Sequence, residues 1–438
     1  MLRQNRRRNL SSDLPIATIA FTTLTLAAVL ALAGVIPAHA QTFTVIHNFT
    51  GGNDGANPQA GLAMDAHGNF YGTTNAGGHT GDGVVFKMTN RGSGWILSPL
   101  FNFDLSTNGA GPYGRVFLAS DGTLYGTTQY GPIQGGCTVN PGNGCGTAYR
   151  LQPPPTAPRS TEVIWRETVL HIFQGSDGFQ PQGDLTFDQA GNIYGTTISG
   201  GNGSNCSGGC GVVYELAPSG GGYTQSVLYS FQNNGDGFDV YGGVVFDNSG
   251  NLLGVVQNGG LNTRGAIYEL SPSGSGWAER TAYAFPLNEV TGAFPIGGLI
   301  NDGAGNLYGT TSQGGTFYGT AFELSPGGGG WTLNSLYDFA PPGSNVGPVE
   351  KLYLGTDGNL YGTSYSSGPN NRGSVFKLTP TNGSWTYTSL HDFTGGSDGG
   401  YPISNVVMDS SGNLYGTASS AGGGNCDAGC GVVWEITP

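Results

Sequence analysis

The chain has 438 residues, a formal net charge of −13, and 15 Lys and Arg against 28 Asp and Glu. So acidic a chain cannot neutralise phosphates, which excludes nucleic acid and anionic membrane surfaces as expected partners. Glycine is abundant at 81 residues, yet aromatic residues recur at regular places, which points to many short strands joined by tight turns and away from disorder.

Residues 1–40 read as a signal peptide. Arg3, Arg6, Arg7 and Arg8 form a basic head, an apolar run follows from Ile16 to Val35, and Ala38-His39-Ala40 has the small-x-small pattern of a cleavage site. The expectation is cleavage after Ala40 and a secreted protein, extracellular or periplasmic, with residues 41–438 forming one domain. No later apolar stretch is long enough to cross a bilayer, so no membrane span is expected after cleavage.

From Gly68 onward a motif of the form Gly-Asn-hydrophobic-Tyr-Gly recurs seven times, beginning at Gly68, Gly122, Gly191, Gly250, Gly305, Gly358 and Gly412. A period of this length marks one supersecondary unit stacked on itself. Each unit reads as four strands. The first runs from a Pro to an Asp turn (Pro58 to Asp65 in the first unit), and the second is the Asn-hydrophobic-Tyr-Gly-Thr-Thr run. The third is Gly-x-x-aromatic-charged-aliphatic (Gly83 to Met88), and the fourth starts at an aromatic residue and ends at Phe (Trp95–Phe103). Seven units of four antiparallel strands without helices predict an all-β fold, a seven-bladed β-propeller.

The two ends complement each other. Residues 42–49 form a fourth strand with no blade before it, and Gly431–Ile436 form a third strand with no fourth after it. The N-terminal strand 42–49 is therefore expected to complete the C-terminal blade and close the ring. The Gly after Tyr in the second strand is expected to lie under the aromatic residue of the third: Phe86, Tyr149, Tyr214, Tyr268, Phe322, Phe376 or Trp434. The fourth unit has Leu253, Val255 and Val256 in place of Tyr, Thr and Thr, so its blade should be drier there.

Six cysteines form local pairs at one place in the repeat: Cys137 with Cys145, Cys206 with Cys210, and Cys426 with Cys430. In an exported chain these read as three loop-closing disulfides. Two cysteines without a neighbouring His make an incomplete zinc set, and no metal is expected.

Leu124-Tyr125-Gly126-Thr127-Thr128, Leu307-Tyr308-Gly309-Thr310-Thr311 and Gly373-Ser374-Val375-Phe376-Lys377-Leu378 resemble the GloVer tandem repeat of exported bacterial proteins, and the resemblance extends over essentially all of residues 41–438. It implies export and repeat architecture, and no particular activity. Members of that family often carry a C-terminal surface anchor; none is expected here.

Candidates for chemistry are few. His47, His171 and His391 share a column with Phe101, Tyr229, Tyr283 and Tyr337, which marks a packing position. Asp65, Asp188, Asp247, Asp302 and Asp409 precede the Gly-Asn turn, where a short acceptor bonds turn backbone. Asp54, Asp177, Asp236 and Asp398 sit in Asp-Gly loops, each too poor in oxygen ligands for calcium. No P-loop, His-Glu-x-x-His or Gly-x-Ser-x-Gly strand–helix elbow is present, and no cofactor is expected.

One column breaks the repeat. Three residues after the Pro of the innermost strand, or its equivalent, stand Gly61, Arg115, Asp184, Gly243, Gly298, Lys351 and Asn405, with Glu350 adjacent. Their neighbours one residue on are aliphatic and must pack between blades, so strand alternation turns the variable column toward the channel. Arg115, Asp184, Glu350, Lys351 and Asn405 are therefore the candidate ligand-binding residues, with ion pairing across the channel as the alternative. The expected function is a binding or scaffold module for a glycan, a cell-envelope polymer or a protein. Recognition would fall on the face that holds the cysteine loops, the Asp-Gly turns and the aromatics Tyr130, Phe179, Phe317 and Tyr401, all expected to be exposed. The rivals are a polysaccharide lyase or hydrolase using Asp184 and Glu350, and a purely structural envelope protein.

Overall fold

The computed structural model describes residues 41–133, 136–154, 164–316, 318–339, 347–348 and 350–438. Residues 1–40, where a signal peptide is expected, and Phe317 lie outside the described residues. Seven antiparallel sheets form a ring, a seven-bladed β-propeller, and no α-helix occurs among the described residues. Among these residues, no helix is long and apolar enough to cross a membrane. Thr42–Thr437 form one compact unit.

Blade 1 shows the plan: Ala63–Met64 innermost, then Phe70–Thr74, Val84–Asn90 and, outermost, Trp95–Asn102. Blade 7 is closed across the termini. Thr42–Asn48 pairs antiparallel with Val432–Thr437, setting Phe43 opposite Ile436 and Val45 opposite Trp434. Blades 3 and 5 add a three-residue strand, Phe179–Pro181 and Ala293–Pro295, against the far end of the second strand.

The innermost strands are shorter than the sequence suggests. Instead of running from Pro58 to Asp65, the ladder of blade 1 holds only Ala63 and Met64, opposite Tyr71 and Phe70. Their first halves lean on one another around the channel. A Cβ on Gly242 would lie 2.6 Å from the Gly298 nitrogen, and one on Gly114 2.8 Å from the Gln182 carbonyl oxygen. Backbone that approaches its neighbour this closely cannot also follow its own blade.

The core is divided into seven apolar clusters, one at each blade interface, including the one that joins blade 7 to blade 1 through Tyr415, Val433, Leu62, Phe70 and Phe86. Each interface is built around one aromatic side chain. The register sets Gly72 opposite Phe86 and Gly362 opposite Phe376, and the ring lies over the glycine in every blade. The Phe that ends the preceding outer strand then meets that ring edge-on: Phe49 on Phe86 at 5.4 Å, Phe103 on Tyr149 at 5.0 Å, Phe339 on Phe376 at 5.0 Å. Leu253, Val255 and Val256 make blade 4 apolar on both faces of its second strand, all three fully buried.

The motif Tyr has a second role. Asp65 accepts from the backbone N–H of His67 and Asn69, from the Asn69 side chain at 2.7 Å and from the Tyr71 hydroxyl at 3.2 Å. The same turn recurs at Asp188 and Asp409. Partial burial opposes ionisation of Asp65, Asp188, Asp302 and Asp357, but the hydrogen bonds they accept outweigh it and hold these carboxyls below the usual 3.8.

Two outcomes follow. Gly362→Ala would put a Cβ 2.6 Å from Phe376 Cζ and 3.0 Å from Leu352 Cδ2, both buried, and should lower stability by about 1–3 kcal/mol in a thermal melt. Gly276→Ala, with open space around it, should melt like the parent. Because the turn carboxyls have lowered folded-state pKa values, their stabilisation is present above 3.8 and is lost as pH falls through those lowered values. The melting temperature should hold down to about pH 5 and fall steeply toward about pH 3; equal melting temperatures at the two values would show that the turns contribute nothing.

Candidate functional site

The variable column meets in the channel. Gly61, Arg115, Asp184, Gly298, Lys351 and Asn405 line one cavity of about 80 Å³ together with Glu350; Gly242, not Gly243, represents blade 4. The next residues, Leu62, Val116, Leu185, Val244, Leu299, Leu352 and Val406, are buried between blades, as strand alternation requires.

Asp184 is the hub. Its carboxylate accepts from the Arg115 backbone N–H at 3.3 Å and lies 3.5 Å from the Arg115 guanidinium. Lys351 Nζ reaches it from blade 6 at 3.8 Å, although blades 3 and 6 face each other across the ring. The glycine contacts make the channel this narrow. Asn405 fills the space beside Gly61, where any Cβ would collide with its side-chain amide.

Burial, then the Asp184 charge, pushes the Glu350 carboxyl well above the ordinary glutamate value. Burial lowers the Lys351 amine; Asp184 opposes this and Arg115 adds to it. Tyr113, on the cavity wall, is raised by burial and then by the fields of Glu350, Tyr241 and Tyr365. The cavity therefore combines an ion-paired Asp184 with a carboxyl driven toward its neutral form. Its volume is far below the roughly 300–1,000 Å³ of ligand pockets. It has room for a few waters or one small ion, and a sugar ring does not fit between Asp184 and Glu350.

A second ring surrounds the mouth. Asn57, Gln180, Asp239, Phe294 and Tyr401, each just before the Pro of its repeat or, in blade 4, before Val240, have left-handed backbone with φ between 54° and 60°. Gly111 takes the same place in blade 2 with φ 62°. The reason is a stitch between blades. Asn57, Gly111, Gln180, Phe294 and Tyr401 donate their N–H to the preceding blade, at the carbonyls of Cys430, Asp82, Cys145, Arg264 and Arg372. The carbonyls of Asn57, Gly111, Asp239 and Tyr401 accept from the end of their own second strand. Nothing in the sequence announced this column; the rule that a residue before Pro prefers extended backbone pointed the other way.

The side chains of this ring are varied. Arg372 lies over the Tyr401 ring at 5.0 Å and bonds its hydroxyl, while Tyr365 tilts against the same ring at 5.0 Å. Arg264 covers Phe294 at 5.6 Å and pairs with Glu289 at 2.6 Å. Gln180 donates to the Tyr130 hydroxyl at 3.2 Å. Tyr130, Phe179 and Tyr401 are half-buried and not exposed as expected, because each leans on this interblade seam.

The three disulfides, Cys137–Cys145, Cys206–Cys210 and Cys426–Cys430, close loops on this same face. The histidine column is more than packing. His47, His171 and His391 bond Asp54, Asp177 and Asp398 of the following loop at 3.1, 2.8 and 3.2 Å, and Tyr229 bonds Asp236 likewise at 2.9 Å. The recurrence of Asp six or seven residues after each of these residues was the available signal. Burial lowers His47 and His391 despite their Asp partners. No group of three or more His, Cys, Asp or Glu suited to a metal ion occurs among the described residues.

The triad generates a stability prediction. Asp184→Ala would leave Arg115 and Lys351 facing each other without a counter-charge. With side chains 36% and 19% exposed, the loss should be about 1–2 kcal/mol, below the roughly 3–5 kcal/mol of a fully buried pair. An unchanged melting temperature would show that the pairing does not support the ring.

The Gloeobacter/Verrucomicrobia repeat matches the chain over residues 34–205, 133–345 and 244–438. No curated protein matches the chain. Among solved structures, the extracellular domain of a protein described as a one-component system from B. thetaiotaomicron is similar, with 10% identity and a TM-score of 0.53, over 90% of this chain and 40% of that one. A luciferin-regenerating enzyme has 12% identity and a TM-score of 0.45 over 91% of this chain and 96% of its own. An ulvan lyase has 13% identity and a TM-score of 0.45 over 80% and 86%. At such identity the first likeness extends to the fold alone, and the other two are weaker.

Proposed function

The chain belongs to the Gloeobacter/Verrucomicrobia repeat family, and from that premise we propose that it is an exported binding module for a glycan, working through the loop face around the channel mouth. The disulfides fit an oxidising compartment outside the cytoplasm.

The observation that carries this reading is the left-handed ring. Glycine occupies that position in blade 2 at no steric penalty, whereas bulky Phe294 and Tyr401 hold the same backbone at a cost of about 1–2 kcal/mol each. The backbone stitch needs no side chain there, so the rings contribute something else. Flat aromatic rings beside Arg372 and Arg264, on a ring that also carries Gln180 and Asp239, supply apolar stacking together with hydrogen-bond donors and acceptors, the combination a sugar ring presents in return. A lyase or hydrolase working between Asp184 and Glu350 is disfavoured by the small cavity.

A panel of immobilised polysaccharides tests the reading, with bound protein and released reducing ends measured together. Binding without release is expected. Tyr401→Gly removes the ring and keeps the backbone, so it should weaken binding about tenfold while the melting temperature stays near that of the parent. Retention of full affinity, or loss of folding in place of affinity, would assign the ring a purely structural role. Release of reducing ends would establish the enzyme, and no binding to any polysaccharide would leave a structural envelope protein.

A further inference from the structure

The channel changes character along its axis. On blades 1, 2, 6 and 7 the residues two places after the variable polar column are Ala63, Phe117, Tyr353 and Val407. Beneath the ion-paired level these four line part of a second, larger cavity of about 330 Å³. Its walls come from blades 1, 2, 6 and 7, chiefly Met64, Phe117, Leu118, Tyr353, Val407 and Met408, all half-buried. On the blade 3 side, Phe117 stacks on Phe187 at 4.0 Å and closes the wall.

Arg115 borders both cavities. Among the described residues it is the only charged one on the wall of the lower cavity. Its guanidinium touches Asp184 through one nitrogen at 3.5 Å, and Asp184 also serves Lys351. Asp184 is thus shared by two basic side chains, and a guanidinium has five N–H donors to offer.

We propose that the lower channel is a binding site for an amphipathic monocarboxylate, with an aromatic or short aliphatic body against Phe117, Tyr353 and the two methionines and its carboxylate on Arg115. The volume falls in the range of small-ligand pockets, which are mostly apolar with a few placed polar groups. Charge complementarity selects an anion: Arg115 on the wall presents paired donors that match a carboxylate. Methionines at 64 and 408 give a wall that adapts to differing apolar bodies. This site lies at the far end of the channel from the loop face, and it stands whether or not a glycan binds there.

The test uses the full chain with 4-phenylbutyrate and its neutral counterpart 4-phenylbutanol, titrated calorimetrically. One equivalent of the acid should bind, and the alcohol about tenfold more weakly, since it lacks the charge-assisted contact. In Arg115→Gln the acid should fall to the affinity of the alcohol while the alcohol is unchanged. Ala63→Phe, which fills the cavity and spares the triad, should abolish binding of both without altering retention on any polysaccharide. The proposal is overturned if neither compound binds saturably, if the parent does not discriminate acid from alcohol, or if Ala63→Phe binds both as before. The parent comparison and Ala63→Phe decide the matter even where Arg115→Gln fails to fold.

Discussion

Every blade interface rests on a three-part stack: a glycine in the second strand, an aromatic ring of the third strand lying across it, and a phenylalanine from the preceding blade set edge-on against that ring. The glycine permits the ring to lie flat on the sheet, and the flat ring offers an edge-to-face partner to the neighbour. Such a pair adds about 0.5–1.5 kcal/mol beyond the area it buries. The phenylalanine is itself located by its own blade, since Phe49, Phe103, Phe231 and their equivalents donate N–H to the glycine that opens the third strand. One stack therefore couples the geometry within a blade to the position of the next. Repetition of the stack seven times turns a local contact into the curvature of a ring.

The channel is a consequence of that curvature. Interface packing sets how far the innermost strands converge, and they converge until glycine backbones touch at Gly114, Gly183, Gly242 and Gly297. Residues on the inward column are then forced together whatever their chain separation, which is how Asp184 comes to serve Arg115 and Lys351 at once. The two levels of the channel differ in what lines them, polar and glycine residues above and mostly apolar side chains of blades 1, 2, 6 and 7 below. The polar level is tight and nearly filled, whereas the apolar level below it remains open.

The loop face follows a separate logic. Its backbone repeats in six of the blades: a left-handed residue that bonds backward to the preceding blade, forward to its own, or both. Its side chains are free to differ, as Asn57, Gln180, Asp239, Phe294 and Tyr401 do. A constant frame that presents variable groups is what a recognition surface requires, and loops on rigid scaffolds commonly carry function for this reason.

Blade number, strand order, the closure by Thr42–Asn48 and the three cysteine pairs were legible in the sequence, because each depends on contacts within one repeat or between adjacent repeats, where a short period encodes them. The inward column was legible too, since strand alternation alone divides Arg115 from Val116 and Asp184 from Leu185. The reach of Lys351 to Asp184, the left-handed ring at Phe294 and Tyr401, the bond from His171 to Asp177 and the division of the channel into two cavities were not. These depend on the radius at which seven wedges meet, and no single repeat contains that distance. Sequence periodicity determined the blade and the count; packing between blades determined what meets in the middle.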